Sequence, residues 1–476
     1  MNNKLYQAIK MSISGKLMTY IVQFVFLAIY ARIFTPQEFG IIASVQVFVL
    51  FFQLLSEVGI GPAIINEEEF KSEQRDGIFT VTLIIGVFLF VLFYIFSFVL
   101  NVFFHGVDYQ DIAVYVCIGI FFNSLNILPT TSLNKDTKFI ELSIINILTE
   151  VVAFIVVYSL YKFNYGVLAL AARTSVQGGV RFILTWYKSK DTELGRAYFG
   201  SQIYHIKKIL SFSLYQFGFN FINYFSRNLD NILIAKFFGM VPLGVYDKAY
   251  QLMRYPLMLT TSALSPAIQP VLKKYRHNID LIVKEHNTLT RRLTIISILI
   301  SFFINLNSES IVLFLFGHQW LGVILIIEVF CFMIPIQAVL SSSGPFFQVI
   351  NKPKLLFISG CFSAFFNVGA ILFGVYLGGI YYISVSLVFS FFVNFFLSYY
   401  ILFKFGFKRN AMGFYISILK SIQAITLPLI LYYLIHVFYL ENIQLSPFYD
   451  ICLNIFIALL CLVPSYRKLK YEFFHV

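Results

Sequence analysis

Charge is what this sequence lacks. Only 12% of its 476 residues are Asp, Glu, Lys or Arg, against 59% hydrophobic, and the mean hydropathy is +0.80. A soluble domain is about 25% charged, so there is too little polar surface to clothe a soluble particle, and lipid must cover much of the outside. Strictly alternating segments of about 10 residues are also missing, which argues against a transmembrane β-barrel. The five cysteines (Cys117, Cys331, Cys361, Cys452 and Cys461) lie in apolar stretches without metal or disulfide spacing and read as small hydrophobes. None of the seven histidines falls in an HExxH arrangement, and there is no Walker-type phosphate loop, which argues against an intrinsic ATPase. No cleavable leader is evident: the first apolar stretch, 13–33, has no small-residue cleavage pattern after it and reads as a retained helix. No outer loop is long enough for a polymerase or ligase working at the membrane surface.

What is present is a succession of apolar runs long enough to span a bilayer, which takes about 20 residues each. Fourteen are expected, near 13–33, 40–63, 78–104, 111–133, 140–161, 165–187, 209–236, 243–270, 289–316, 321–349, 355–377, 379–403, 416–440 and 446–466. The fold class is therefore an all-α integral membrane protein. The net charge of +12 is not a nucleic-acid signal, because the basic residues cluster between runs. One set of loops carries Lys71, Arg75, Lys135, Lys138, Lys188, Lys190, Arg196, Lys207 and Lys208. The same side continues with Lys273, Lys274, Arg276, Lys284, Lys352, Lys354, Lys404, Lys408 and Arg409, together with both termini. The opposite loops hold Arg32, Lys162 and Lys236 and little else that is basic. The positive-inside rule puts the basic side, and both termini, in the cytoplasm.

The segment Lys188 to Lys208 reads as a linker after six spans. The expected division is 1–200 for a first six-helix lobe with its linker, 201–410 for a second, and 411–476 for two additional helices and a tail. A faint internal repeat supports two related halves: AIYARIFTPQEFG (28–40) and LIAKFFGMVPLGVY (233–246) both run from a helix end through a Pro-containing turn to Gly. Repeats of this kind build transporters with pseudo-symmetric halves.

Ionisable residues inside spans are costly and mark cavities or partners. The seventh run carries Asn220, Asn223, Arg227 and Asp230 at spacings of three or four, with Asn231 beyond. This polar stripe either lines a cavity or holds helices together, and Arg227 has the spacing to pair with Asp230. The eighth run adds Lys248, Gln251 and Arg254. The sixth has Arg173, Gln177 and Arg181 at spacings of four, and the first has Lys16. Glu57 and Glu150 are the acidic members hardest to dismiss. Basic side chains in a wet cavity suit an anionic substrate such as a diphosphate, and carboxylates suit coupling to H+ or Na+. Transport explains this architecture with fewest additions.

The same stretches resemble a known family. ARIFTPQEFGIIASVQVFVLFFQLLSEVGIGPAII (31–65) is similar to the polysaccharide exporters of the multidrug/oligosaccharidyl-lipid/polysaccharide (MOP) superfamily. The residues that carry the likeness are Arg32, Thr35, Pro36, Phe39, Gly40, Glu57, Gly59 and Gly61; Glu57 stands where that family usually has aspartate. NYFSRNLDNILIAKFFGMVPLGVYDKAYQLMRYP (223–256) resembles the signature of the family's second half, through Arg227, Asn228, Asp230, Asn231, Gly244, Tyr246, Ala249 and Tyr250. FGHQWLG (316–322) and NKP (351–353) also fit. The resemblance implies two pseudo-symmetric six-helix bundles around a central cavity plus two C-terminal helices. The implied activity is flipping of an undecaprenyl-diphosphate-linked oligosaccharide across the bacterial inner membrane by alternating access, for O-antigen, capsule or other lipopolysaccharide or exopolysaccharide synthesis, driven by an ion gradient and not by an enzymatic step. Under it, Arg227, Lys248, Arg254, Lys16, Asn220 and Asn223 are candidate diphosphate or glycan contacts. Asp230 and Glu57 are candidates for orienting those cations or for coupling. No cofactor is implied. The implied partners are the lipid-linked oligosaccharide, membrane lipids, and the polymerase and chain-length components of polysaccharide assembly. Two alternatives stand beside it: a drug or metabolite antiporter of the same superfamily, and a non-transporting membrane scaffold.

Overall fold

The computed structural model describes all residues except 1–2, 58–59, 67–70, 105, 204–223, 262–267, 269–271, 273–274, 441–442, 444 and 475–476. The described residues are helical or in turns, with no strand among them. Eleven of their helices are long and apolar enough to cross a membrane. A further pair, Gly322–Cys331 and Met333–Val349, passes the same test together and is bent by 47°. Pro335 lies in the first turn after that break, where its missing amide proton costs no helical hydrogen bond. The expected runs near 209–236 and 243–270 fall partly outside the described residues.

The chain divides into two compact units, Met1–Gly244 and Val245–Val476. The first unit contains α1 (Asn3–Ile33), α2 (Pro36–Glu57), α3 (Ile60–Asn66), α4 (Ser72–Phe103), α5 (Tyr109–Leu125), α6 (Ile127–Lys135), α7 (Phe139–Lys162) and α8 (Val167–Lys188), then α9 (224–238) and the start of α10 (Met240–Thr261). The threonine–proline turn before α2 is a capping box: the Thr35 amide and hydroxyl both donate to Glu38 Oε2, at 2.8 and 2.9 Å, and the Glu38 amide donates back to Thr35 Oγ1 at 3.3 Å. Pro36 fills the first helical position, where no amide proton is needed. The two halves of the sequence repeat meet in space. A Cβ on Gly40 would run into the Met240 carbonyl, and one on Gly244 into the Pro36 carbonyl. Small residues also seat α8 on α5, where a Cβ on Gly178 would lie 3.0 Å from the Gly119 carbonyl oxygen.

The stretch 189–203, expected as a linker, is tied down along its length. Ser132 and Thr192 hydroxyls bond at 2.6 Å, Lys138 Nζ donates to the Asp191 carbonyl at 2.7 Å, and the Glu193 amide donates to Asp136 at 2.9 Å. Further on, the Tyr198 amide donates to Asp76 Oδ1 at 2.9 Å, and the Thr80 hydroxyl donates to the Gly200 carbonyl at 2.8 Å. The Arg196 guanidinium lies over the Trp186 ring at 4.3 Å. This strap crosses the ends of α4, α6 and α8.

The second unit holds α11 (Ile279–Leu306), α12 (Ser308–Leu315), α13 (Gly322–Cys331), α14 (Met333–Leu340), α15 (Ser343–Val349), α16 (Pro353–Tyr376), α17 (Ile380–Ile401), α18 (Met412–Ile435), α19 (Pro447–Leu462) and α20 (Tyr466–Phe474). α11 starts ten residues before the apolar run expected at 289, because Asn278 caps a polar but helical first stretch, accepting from the Leu281 amide at 3.1 Å. Polar ladders join helices that hydropathy shows only as apolar. Ser359 and Ser398 hydroxyls bond at 2.8 Å, Asn394 donates to Ser363 at 2.8 Å, and Ser390 donates to Asn367 at 2.8 Å, all between α16 and α17. A second chain docks the last helices. Asn307 donates to the Tyr432 hydroxyl at 2.7 Å, that hydroxyl donates to Asn454 at 2.8 Å, and Ser310 donates to Asp450 at 2.5 Å.

Candidate functional site

Inside the first unit, charged groups from three helices converge, with an aromatic ring from a fourth. α8 projects Arg173, Gln177 and Arg181 from one stripe, since residues four apart share a face. The neighbouring positions Thr174 and Gly178 are taken up by α5, so the stripe is turned away from that contact. Arg173 Nη2 meets Glu150 Oε2 of α7 at 3.0 Å, and Glu150 is 5% exposed. The guanidinium of Arg173 also lies over the Tyr30 ring of α1 at 4.8 Å, a cation–π contact in a poorly hydrated place. Two turns along, Arg181 stands within electrostatic reach of Glu57 at the end of α2 and, more weakly, of Glu150. Its Nε is buried and has no hydrogen-bond acceptor. A charge at the centre of a bilayer costs about 2.5–3.5 kcal/mol on insertion scales, so such residues persist where a partner, water or a ligand receives them.

A second cluster lies in the second unit, on α10. Asp247 Oδ2 accepts from Gln251 Nε2 at 2.6 Å, and the fully buried Lys248 donates to Gln251 Oε1 at 3.2 Å. Lys248 and Arg254 are within electrostatic reach of Asp247. Asp247 was not among the expected site residues. Its spacing of four from Gln251 and seven from Arg254 is the signal that could have found it.

The expected residues are placed as follows. Lys16 is exposed on α1, Glu57 is exposed at the end of α2, and Arg227 and Arg254 are exposed on α9 and α10. Asp230 is buried and accepts from the Asn231 amide at 2.9 Å. Arg227 makes no ion pair with it, since one side chain faces outward and the other inward. Asn220 and Asn223 lie outside the described residues. Thus Lys248 and Arg254 share the Asp247 cluster, while Glu57 joins Arg173, Arg181 and Glu150, which sequence reading noted as a stripe without assigning a site. Among the described residues no group of three or more His, Cys, Asp or Glu could hold a metal ion.

An apolar groove of about 250 Å³ lies between α11, α18 and α19, with Leu299, Phe303, Pro428, Tyr432 and Leu459 among its walls.

Residues 29–325, more than half of the chain, match the family described as "Polysaccharide biosynthesis protein". The teichuronic acid biosynthesis protein TuaB of Bacillus subtilis (strain 168) is 24% identical over 339 residues, covering 71% of this chain and 69% of that protein. The lipopolysaccharide biosynthesis protein WzxC of Escherichia coli (strain K12) is 19% identical over 389 residues, covering 79% and 76%. Among solved structures, the lipid II flippase MurJ in an inward closed conformation superposes with a TM-score of 0.76 at 16% identity, over 96% of this chain and 98% of that one. That likeness shows a shared fold.

Proposed function

The chain belongs to the polysaccharide biosynthesis protein family, among the polysaccharide exporters of the MOP superfamily, and on that premise we propose that it flips an undecaprenyl-diphosphate-linked oligosaccharide from the cytoplasmic to the outer leaflet of the bacterial cytoplasmic membrane. It is a multi-pass membrane transporter and not an enzyme. In the proposed arrangement fourteen spans form two six-helix lobes and two additional helices, with both termini cytoplasmic, and the lobes alternate access to the substrate.

The observation that carries the substrate reading is the Arg173–Gln177–Arg181 stripe within a membrane helix, balanced by Glu150 and Glu57. The planar guanidinium fork matches phosphate oxygens in pairs, which favours a phosphorylated headgroup as the ligand of this stripe. The groove between α11, α18 and α19 has the chemistry to accept part of a polyprenyl chain, since burying each CH₂ is worth about 0.8 kcal/mol. Glu57, Asp230 and Asp247 are the carboxylates proposed to link the cycle to H+ or Na+.

A clean deletion tests this reading. The expected result is loss of a surface polysaccharide and accumulation of its intact lipid-linked repeat unit on the cytoplasmic leaflet, whose mass identifies the sugar. Normal surface polymer without accumulated intermediate, in a cell with no second exporter, would replace the flippase with the antiporter.

A further inference from the structure

We propose that the last helix, α20, is a basic foot of the second unit, which binds anionic phospholipid headgroups of the cytoplasmic leaflet through Arg467, Lys468 and Lys470. Of the flippase reading above, only the orientation is needed. Three observations lead to it.

The first is how α20 is held. A helix of nine residues near a chain end is marginal by itself. Here Glu472 clamps it to α11. The Glu472 carboxylate pairs with Arg291, and its main-chain carbonyl accepts from Arg292 Nε at 3.2 Å. Leu469, Glu472 and Phe473 are spaced by three and four, so they share one face, and all three are partly buried.

The second is the opposite face. Tyr466, Arg467, Lys468 and Lys470 are exposed. Glu472 is the one acidic residue of α20 and it is turned inward to α11. The outer face therefore carries three positive charges and no negative one.

The third is depth. The exposed side of α19 is apolar, with Phe456, Leu459, Leu460 and Val463 open to lipid. It passes through Tyr466, a residue type enriched at membrane interfaces, to the three cations. About 20 helical residues cross the hydrocarbon, and a count of that length from Pro447 ends at Tyr466. The cations thus emerge in the headgroup layer and not in open water. Under the proposed orientation this is the cytoplasmic leaflet, whose negative surface potential attracts basic clusters next to a span. A topology signal acts during insertion and needs no fixed geometry. The clamp through Glu472 gives these cations a fixed one.

The test uses the purified full-length protein in nanodiscs of phosphatidylglycerol or of phosphatidylcholine, with hydrogen–deuterium exchange of the peptide 466–474 as readout. In the wild type, exchange is expected to be about tenfold slower in phosphatidylglycerol, and salt at about 0.5 M is expected to remove most of that difference. Each cation near an anionic surface is worth about fivefold in binding, so R467Q/K468Q/K470Q is expected to exchange at similar rates in the two lipids. E472Q loses the clamp. It is expected to exchange faster than the wild type in phosphatidylcholine and still to be slowed by phosphatidylglycerol. Equal wild-type exchange in the two lipids would overturn the proposal, as would a triple variant that keeps the full difference. If the triple variant does not accumulate, the wild type decides: a lipid difference untouched by salt is the overturning result. Inorganic phosphate added to phosphatidylcholine nanodiscs separates the sources. Slowing as strong as that by phosphatidylglycerol would mean that the face takes any phosphate, and the assignment to lipid fails.

Discussion

Gly40 and Gly244 stand face to face, and a methyl group on Gly244 would sit 3.0 Å from the Gly40 amide nitrogen. The start of α2 and the start of α10 approach so closely because neither carries a side chain there. Both positions belong to the Pro-containing repeat, so the weak internal similarity of the sequence records a contact. Gly244→Val is expected to force the backbones apart and abolish surface polysaccharide. Gly239→Ala is the control for glycine loss nearby: its Cβ would meet no atom, and its φ of +90° gives only local strain. Export assayed in the cell, with protein levels matched by immunoblot, distinguishes them.

The Arg173–Glu150 pair makes a separate prediction. Glu150→Gln leaves Arg173 without its counter-charge. The loss of stability is expected to be about 2 kcal/mol, below the roughly 3–5 kcal/mol for a fully buried pair, because Arg173 is 27% exposed. The double variant Glu150→Gln with Arg173→Gln is expected to regain part of that loss. Thermal unfolding in detergent, analysed as a double-mutant cycle, gives the coupling; a coupling near zero would show that the pair is ornamental to the fold.

Asp76 anchors the strap from two sides, accepting from Arg75 Nε at 2.8 Å and from the Tyr198 amide at 2.9 Å. Asp76→Ala is expected to release 194–200 and speed trypsin cleavage after Arg196 by about tenfold, the ratio for roughly 1.4 kcal/mol of lost anchoring. Cleavage at the wild-type rate would mean that the Thr80–Gly200 bonds suffice.

Tyr432 joins α11 to α19 through one hydroxyl that accepts from Asn307 and donates to Asn454. Tyr432→Phe removes both bonds and leaves two buried amide groups short of a partner. The expected cost is about 2 kcal/mol, read as a lower Tm. Asn454→Leu is expected to do similar damage and to add little when combined with Tyr432→Phe, since the two act in one chain of bonds.

The all-helical multi-pass class and the threonine–proline turn before α2 were legible in the sequence, because hydropathy and proline's fixed φ are local properties. The Thr35–Glu38 bonds that cap that turn were not read there. The Arg173–Gln177–Arg181 stripe was legible as a stripe. Its meaning was not, since Glu150 lies 23 residues from Arg173 on another helix and nothing in the spacing selects it. The bonds that tie down 189–203, within the segment Lys188 to Lys208 read as a linker, were not legible for a related reason. They run largely through backbone carbonyls and amides, which every residue type carries. Asp247 was passed over beside Lys248, where an adjacent pair of opposite charges resembles a solvated helix end. The Asn and Ser ladder between α16 and α17 lay hidden inside apolar runs, because a few small polar residues barely lower the mean.

The strap also orders events during synthesis. Residues 189–203 leave the ribosome after α4, α6 and α8, yet they supply the partners for Asp76, Thr80, Ser132, Asp136 and Lys138. Until they emerge, those helices are inserted but unfastened at one end, and the newborn chain can still adjust their packing. The closing of the strap is thus the step that fastens α4, α6 and α8 to one another at that end, before α9 and the start of α10 arrive to complete the unit.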